Sequence, residues 1–310
     1  MIPMSSDNPH MTLPCGGFIV LLAVIFGANA VAIKLALSGM GPLTTAGLRF
    51  ALAAAAIACW ARATGRSLRF RPHQLPQLLI VSIGFTVQLS LFYLGLDRTY
   101  ASRGVLIANL LPFFVLFLSH RFIPGESITW KKMVGIMLGF GGVAVMFSDA
   151  RGFSASLHSG DLIILAAVTL WSCNVVYIKR IINNYAPFQL VLYPMIFSVP
   201  IFLTAGFLWD GKMIYDLTPT VLGAYAYQSL VSAAFGFVAW NTMLKRFGAS
   251  TLHAFVFIMP IAGVVCSGLI LNEPITPHLI VALVLIASGI LMVHVSPQKA
   301  AFTFPLGRGL

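Results

Sequence analysis

An amide and a cation recur together in two otherwise apolar stretches of this chain. The first stretch is Phe26-Gly-Ala-Asn-Ala-Val-Ala-Ile-Lys34 and the second is Trp171-Ser-Cys-Asn-Val-Val-Tyr-Ile-Lys179. Asn29 therefore stands in register with Asn174, and Lys34 with Lys179, at an offset of 145 residues that also lays Pro42 on Pro187. An amide both donates and accepts hydrogen bonds, and an ammonium attracts carboxylates. Ionisable groups inside a membrane usually point inward and mark solute pathways. Each residue also has a plainer reading. Lys34 lies about a turn from the end of its run, where its stem can snorkel to the interface. Lys179 abuts Arg180 and reads as a loop cation. Asn29 and Asn174 can simply bond between helices, at about 0.6 kcal/mol each.

Further polar groups punctuate the apolar runs. Gln88, Tyr93, Asn109, Trp171 and Gln228 join Asn29, Lys34 and Asn174 as candidate solute-binding residues. Arg49, eight residues into its run, needs protein, water or a carboxylate around it, and structural pairing is the expected role. Trp130 and Trp240 suit an interfacial aromatic belt. Pro112 and Pro260 must interrupt their helices and free backbone carbonyls, which makes those two helices candidate cavity walls. His253 is expected to be a hydrogen-bonded core residue.

What is missing narrows the chemistry. No Asp or Glu falls near the middle of a run. Glu126 and Glu273 sit at loop–helix junctions, where compensation of a helix N-terminus accounts for them. The usual intramembrane proton carrier, a central carboxylate, is thus missing. There is no G-x-x-x-x-G-K-[ST] for ATP, no G-x-S-x-G elbow, and no His spacing for a metal. Cys15, Cys59, Cys173 and Cys266 are scattered, so packing is expected of them and not disulfides. No enzyme activity, cofactor or metal is expected.

The elements that must position these groups follow from composition. Hydrophobic residues make up 59% of 310, and only 19 basic and 8 acidic residues are present. A soluble chain carries about a quarter charged residues, so this is read as an integral membrane protein. The net charge of +11 resides in short loops, which excludes a nucleic-acid stripe and points to topology. Ten apolar runs are long enough to cross a bilayer as helices: roughly 16–37, 42–61, 74–96, 102–120, 129–148, 159–178, 187–208, 218–243, 249–271 and 275–295. Without period-two alternation, barrel strands are excluded.

Lys and Arg concentrate on one side: Arg62, Arg66, Arg69, Arg71, Arg121, Lys131, Lys132, Lys179, Arg180, Lys245, Arg246, Lys299 and Arg308. Arg98, Arg103, Arg151 and Lys212 fall on the other. The positive-inside rule then puts both termini in the cytoplasm. Internal echoes continue past the opening motif. Ala101-Ser102 is matched by Ala249-Ser250, Leu111-Pro112 by Met259-Pro260, Glu126 by Glu273 and Gly142 by Gly289. Five spans per copy is an odd number, so the second copy enters from the opposite side. The expected fold class is all-α, ten transmembrane helices as two inverted five-helix repeats. Its parts are residues 1–15, a first repeat at 16–148, a second at 159–295, and a tail at 296–310. Gly135, Gly139 and Gly142 share one helix face that suits close packing within the fold or a homodimer.

These residues carry a resemblance. The Phe26–Lys34 motif, Leu94-Gly-Leu with Tyr100-Ala-Ser102, Pro112 with Glu126, Trp240-Asn241, Ala249-Ser250, Pro260 and Glu273 together resemble the EamA family of the drug/metabolite transporter superfamily, from about residue 16 to 295. Asn109 departs from it, being more polar than expected beside the proline. The resemblance implies a secondary transporter of the cell (inner) membrane that exports or exchanges small organic solutes, amino acids and related metabolites foremost. Alternating access would run through a cavity walled by spans 1, 3, 4, 6, 8 and 9. The partners implied are the solute and the lipid bilayer. A membrane enzyme acting on a lipid-linked substrate, or a non-transporting partner subunit, remains the alternative.

Overall fold

The computed structural model describes residues 13–66, 68, 70–123, 128–148, 159–185, 188–247, 252 and 255–294. Glu126, Pro187, Ala249-Ser250, His253, the Asn241 side chain and both terminal segments lie outside them. Every named element among the described residues is helical, and one isolated bridge pairs Met40 with Ile214. The helices are α1 (Leu13–Leu37), α2 (Pro42–Ala63), α3 (Leu75–Asp97, preceded by a 3-10 turn at Pro72–Gln74), α4 (Ala101–Ala108), α5 (Leu111–Phe122) and α6 (Trp130–Phe147). There follow α7 (Ser159–Ile181), α8 (Gln189–Trp209), α9 (Pro219–Ala226), a π-helical stretch (Tyr227–Gly236), α10 (Phe237–Phe247), α11 (Ile258–Leu271) and α12 (Pro277–His294).

Eight helical segments are long and apolar enough to span a membrane, and α11 and α12 are shorter apolar helices. The described helix of the ninth run thus begins at Ile258, later than the run itself. Large apolar side chains such as Phe207, Trp209, Met137 and Leu269 are exposed along the helices. In water they would be costly; against lipid they match the solvent. The chain is an integral membrane protein.

Proline chemistry sets the breaks. Pro112 is the second residue of α5 and cannot donate to the Ala108 carbonyl, so the helix stops at Ala108 and restarts at Leu111. Asn109 tidies the break: its backbone N–H and its Nδ2 both donate to the Val105 carbonyl, at 3.0 and 2.8 Å. Pro260 likewise falls in the first turn of α11, where its missing N–H costs nothing.

Packing joins the first part of the chain to the second. The largest helix contacts are α6 with α12, α3 with α7, α2 with α8, α1 with α11 and α3 with α8. Close approach needs glycine at the α6–α12 crossing, where a Cβ on Gly135 would stand 2.8 Å from the Gly289 carbonyl oxygen. Phe113 fills the space above Gly139, and Ile286 that above Gly142. The glycine face is therefore spent inside the chain.

One end of the bundle is tied by charges placed on helix termini. The Asp210 carboxylate accepts from the N–H of Leu43 (3.3 Å), and from the N–H and hydroxyl of Thr44 (2.7 Å each), at the start of α2. Asn272 ends α11 in the left-handed region at φ 53°, and the turn delivers Glu273 onto the start of α4. Its carboxylate accepts from the N–H of Ala101 (2.6 Å), the N–H of Ser102 (2.9 Å) and the Ser102 hydroxyl (2.6 Å). Glu273 thus compensates α4 across the bundle, where the sequence suggested its own neighbouring helix. Carboxylates satisfy orphan N–H groups at the positive helix end, and an ammonium does the converse. Lys34 supplies the converse here, donating to the carbonyls of Leu96 (2.7 Å), Asp97 (3.0 Å) and Thr99 (2.8 Å) as α3 ends. Tyr215 donates to the Leu37 carbonyl; burial, then Asp97 and Asp210, push its phenol up, so it stays a donor.

Removing either carboxylate strands two backbone N–H groups. Asp210→Ala and Glu273→Ala should each destabilise the folded chain by about 1–3 kcal/mol. Melting in detergent followed by tryptophan fluorescence reads this as a lower Tm, with Glu273→Gln intermediate. An unchanged Tm would show that water serves these helix ends as well as the carboxylates do.

Candidate functional site

The bundle interior carries two buried arginines with opposite fates, one at the tied end and one farther along α2. Arg103, in α4, meets Asp161, in the first turn of α7. Its Nε lies 3.1 Å and its Nη2 2.5 Å from Oδ2, and the Thr99 hydroxyl donates to Oδ1 at 2.6 Å. The carboxylate is fully buried and the guanidinium nearly so. Counting Lys and Arg by loop treated Arg103 as a loop cation; the structure places it inside α4, where pairing with Asp161 permits burial. Their sequence separation of 58 residues hid the pairing.

Arg49 has no such partner. It projects from α2 at 5% exposure, its Nη1 donates to the Tyr93 hydroxyl of α3 at 3.0 Å, and its guanidinium carbon lies 5.1 Å from the Phe50 ring centroid. Tyr93 in turn donates to Gln228 Oε1 at 2.9 Å. Both Tyr93 and Gln228 are fully buried. The Arg49 Nε and the Gln228 Nε2 are buried without a hydrogen-bond partner. An unsatisfied buried donor costs about 1–3 kcal/mol, more when charged. Gln228 lies in the π-helical stretch, a geometry frequent at functional sites and not readable from its apolar sequence.

A second amide pair sits between α3 and α7. Asn174 Nδ2 donates to the Val81 carbonyl at 3.3 Å and approaches Gln88 Oε1 at 3.5 Å. Gly84 makes room for it: a Cβ there would come within 3.0 Å of the Asn174 amide carbon. Among the eight candidates, the structure thus brings together Tyr93 with Gln228, and Gln88 with Asn174. Asn29 keeps a buried Oδ1 without a partner. Asn109 is turned to its own helix, Trp171 is half-buried on α7, and all three described ammonium bonds of Lys34 go to backbone carbonyls. Trp240 packs edge-on against Phe26, their centroids 5.8 Å apart, and joins the core where a belt position was expected. Among the described residues no cluster of His, Cys, Asp and Glu is arranged to hold a metal.

Comparison with known proteins gives a consistent result. The model of the EamA-like transporter family matches residues 15–148 and again 158–295. A probable amino-acid metabolite efflux pump of Escherichia coli is 28% identical, covering 89% of this chain and 93% of its own. An uncharacterized transporter of Archaeoglobus fulgidus is 27% identical over 89% of this chain and 96% of its own. A crystal structure with 18% identity superposes at a TM-score of 0.67 over 91% of this chain and 96% of that one, which establishes a shared fold.

The buried ion pair can be tested alone. Arg103→Met or Asp161→Asn should each cost about 3–5 kcal/mol by stranding the remaining partner. The double variant should recover much of that loss. A double-mutant cycle on unfolding in detergent measures it, and additive single effects would deny the pairing.

Proposed function

As a member of the EamA-like transporter family this chain is a membrane transporter and not an enzyme, and we propose that it exports or exchanges small organic solutes by alternating access. Amino acids and related metabolites are the leading substrates, since two relatives carry the name of an amino-acid metabolite efflux pump. The proposed architecture is two inverted five-helix repeats, 16–148 and 159–295, between cytoplasmic segments 1–15 and 296–310 in the cell (inner) membrane.

The observation that carries this reading is an exchange symmetry in the helix contacts. Let α1 trade places with α7, α2 with α8, α3 with α9–α10, α4–α5 with α11, and α6 with α12. The α3–α7 contact then maps onto α1 against α9 and the π stretch, α1–α11 onto α7 against α4 and α5, and α3–α8 onto α2 against the π stretch. The contacts α2–α8 and α6–α12 map onto themselves. Each image is present. The family match to both parts of the chain supports the same division. Two such units rocking about their seam expose a central site to each side in turn.

Within this reading Asn29, Gln88, Tyr93, Trp171, Asn174 and Gln228 face the solute path, and Asn109 borders it at the helix break of Pro112, with a second break at Pro260. Lys34 holds one end shut while it caps α3, and is released when that end opens. Spans 1, 3, 4, 6, 8 and 9 wall the path, and α2 adds Arg49 to them.

Purified chain in liposomes loaded with one amino acid should take up the labelled form by counterflow, saturably and without chemical change. Absence of flux across a metabolite panel would sink the transport mechanism, and an altered solute would favour the enzyme alternative. Single cysteines at 66 and 246 should label from one face and at 212 from the other. Any other pattern would refute the inverted topology.

A further inference from the structure

The strongest unexplained feature is the polarity of the Arg49–Tyr93–Gln228 chain. A guanidinium only donates. The Tyr93 oxygen accepts from it, so the phenol proton must go elsewhere, and it goes to Gln228 Oε1. That fixes the Gln228 amide with its NH2 as the one group left over. The chain therefore ends in donors at both extremities, Arg49 Nε and Gln228 Nε2, both buried and both unpartnered. It also carries one uncompensated positive charge. Every described acid is accounted for: Asp161 pairs with Arg103, Asp210 and Glu273 occupy helix N-termini, and Asp97 and Asp216 are exposed at the tied end.

We propose that Arg49, Tyr93 and Gln228 form an anion subsite that takes a single carboxylate group of a small organic solute, whether or not that solute carries an ammonium elsewhere. The inference rests on the transport reading above and names the chemistry of its solute. A water molecule would satisfy the donors but leave the charge bare; a metal cation would be repelled. A single guanidinium flanked by neutral donors matches one negative charge, which selects a carboxylate over a dianionic phosphate. The Phe50 ring beside the guanidinium stacks with Phe202 and meets Phe85 edge-on, an apolar neighbourhood in which a paired charge gains more than it would in water. Placement across the seam adds the transport logic. Arg49 and Tyr93 belong to α2 and α3, whereas Gln228 belongs to the π stretch of the other unit. A carboxylate bridging Arg49 and Gln228 ties the two units, and its departure loosens them.

The test uses the full chain in detergent, with melting as the readout and matched probes: L-phenylalanine against L-phenylalaninamide, phenylacetate against phenylacetamide, and chloride and inorganic phosphate as controls. The carboxylates should raise Tm and the amides should not. Arg49→Met should raise the Tm of the unliganded chain, because an unpaired buried charge is gone, and should weaken carboxylate binding about tenfold or more. Gln228→Glu supplies an internal carboxylate to Arg49, so it should raise Tm and abolish the response to added carboxylate. A fall in unliganded Tm in both variants assigns Arg49 to structure and overturns the proposal. So does an equal response to acids and amides, a response to chloride alone, or a carboxylate response that survives Arg49→Met. Counterflow separates the two readings: carboxylate flux that persists in Arg49→Met removes the subsite but leaves transport intact, whereas carboxylate-specific, Arg49-dependent binding without flux in the unmodified chain upholds the subsite and removes transport.

Discussion

Helix termini are the constraint on which this structure turns. Each terminus presents backbone groups that its own helix cannot satisfy, and near a bilayer they have little water to turn to. At the tied end the chain answers with full charges from opposing helices: Asp210 on α2, Glu273 on α4 and Lys34 on α3. The signs follow the helix dipole in all three cases. Two of these ties run between the first half of the chain and the second, and the Arg103–Asp161 pair makes a third. That end is thus joined by polar bonds between the two halves of the chain and not by apolar packing alone.

The tied end and the buried cation share helices. Thr44, which Asp210 holds, stands about one and a half turns from Arg49 on α2. Tyr93 stands about one turn from the carbonyls that Lys34 holds on α3. Arg49 and the Asp210 contact thus share one helix, and Tyr93 and the Lys34 contact another. The π stretch departs from the regular i to i+4 ladder, a geometry frequent at functional sites, and it carries Gln228.

Much of the fold was legible in the sequence because apolar length and proline placement are local signals. Runs at 42–61 and 159–178 became α2 and α7 with ends shifted by a few residues, and Pro112 broke its helix where expected. The polar residues were legible as a set but not in their pairings. Lys34 reads equally as a solute ligand or a snorkelling cation until its ammonium is seen on three carbonyls of another helix. Glu273 looked like a cap for the helix beside it and serves one 171 residues away. Arg49 was expected to find a structural partner and has a phenol and no acid. Side-chain reach across helices, and helix phase in the π stretch, are properties of packing that no local pattern encodes.

The central claim is that the tied end opens and closes as solute moves. Met40 and Ile214, paired in an isolated antiparallel bridge there, sit at a Cα spacing suited to a disulfide. In a background with the four native cysteines replaced, a Met40→Cys/Ile214→Cys chain should cross-link on oxidation, lose counterflow, and regain it fully on reduction. Undiminished counterflow with the bond quantitatively formed would mean that this end never needs to open.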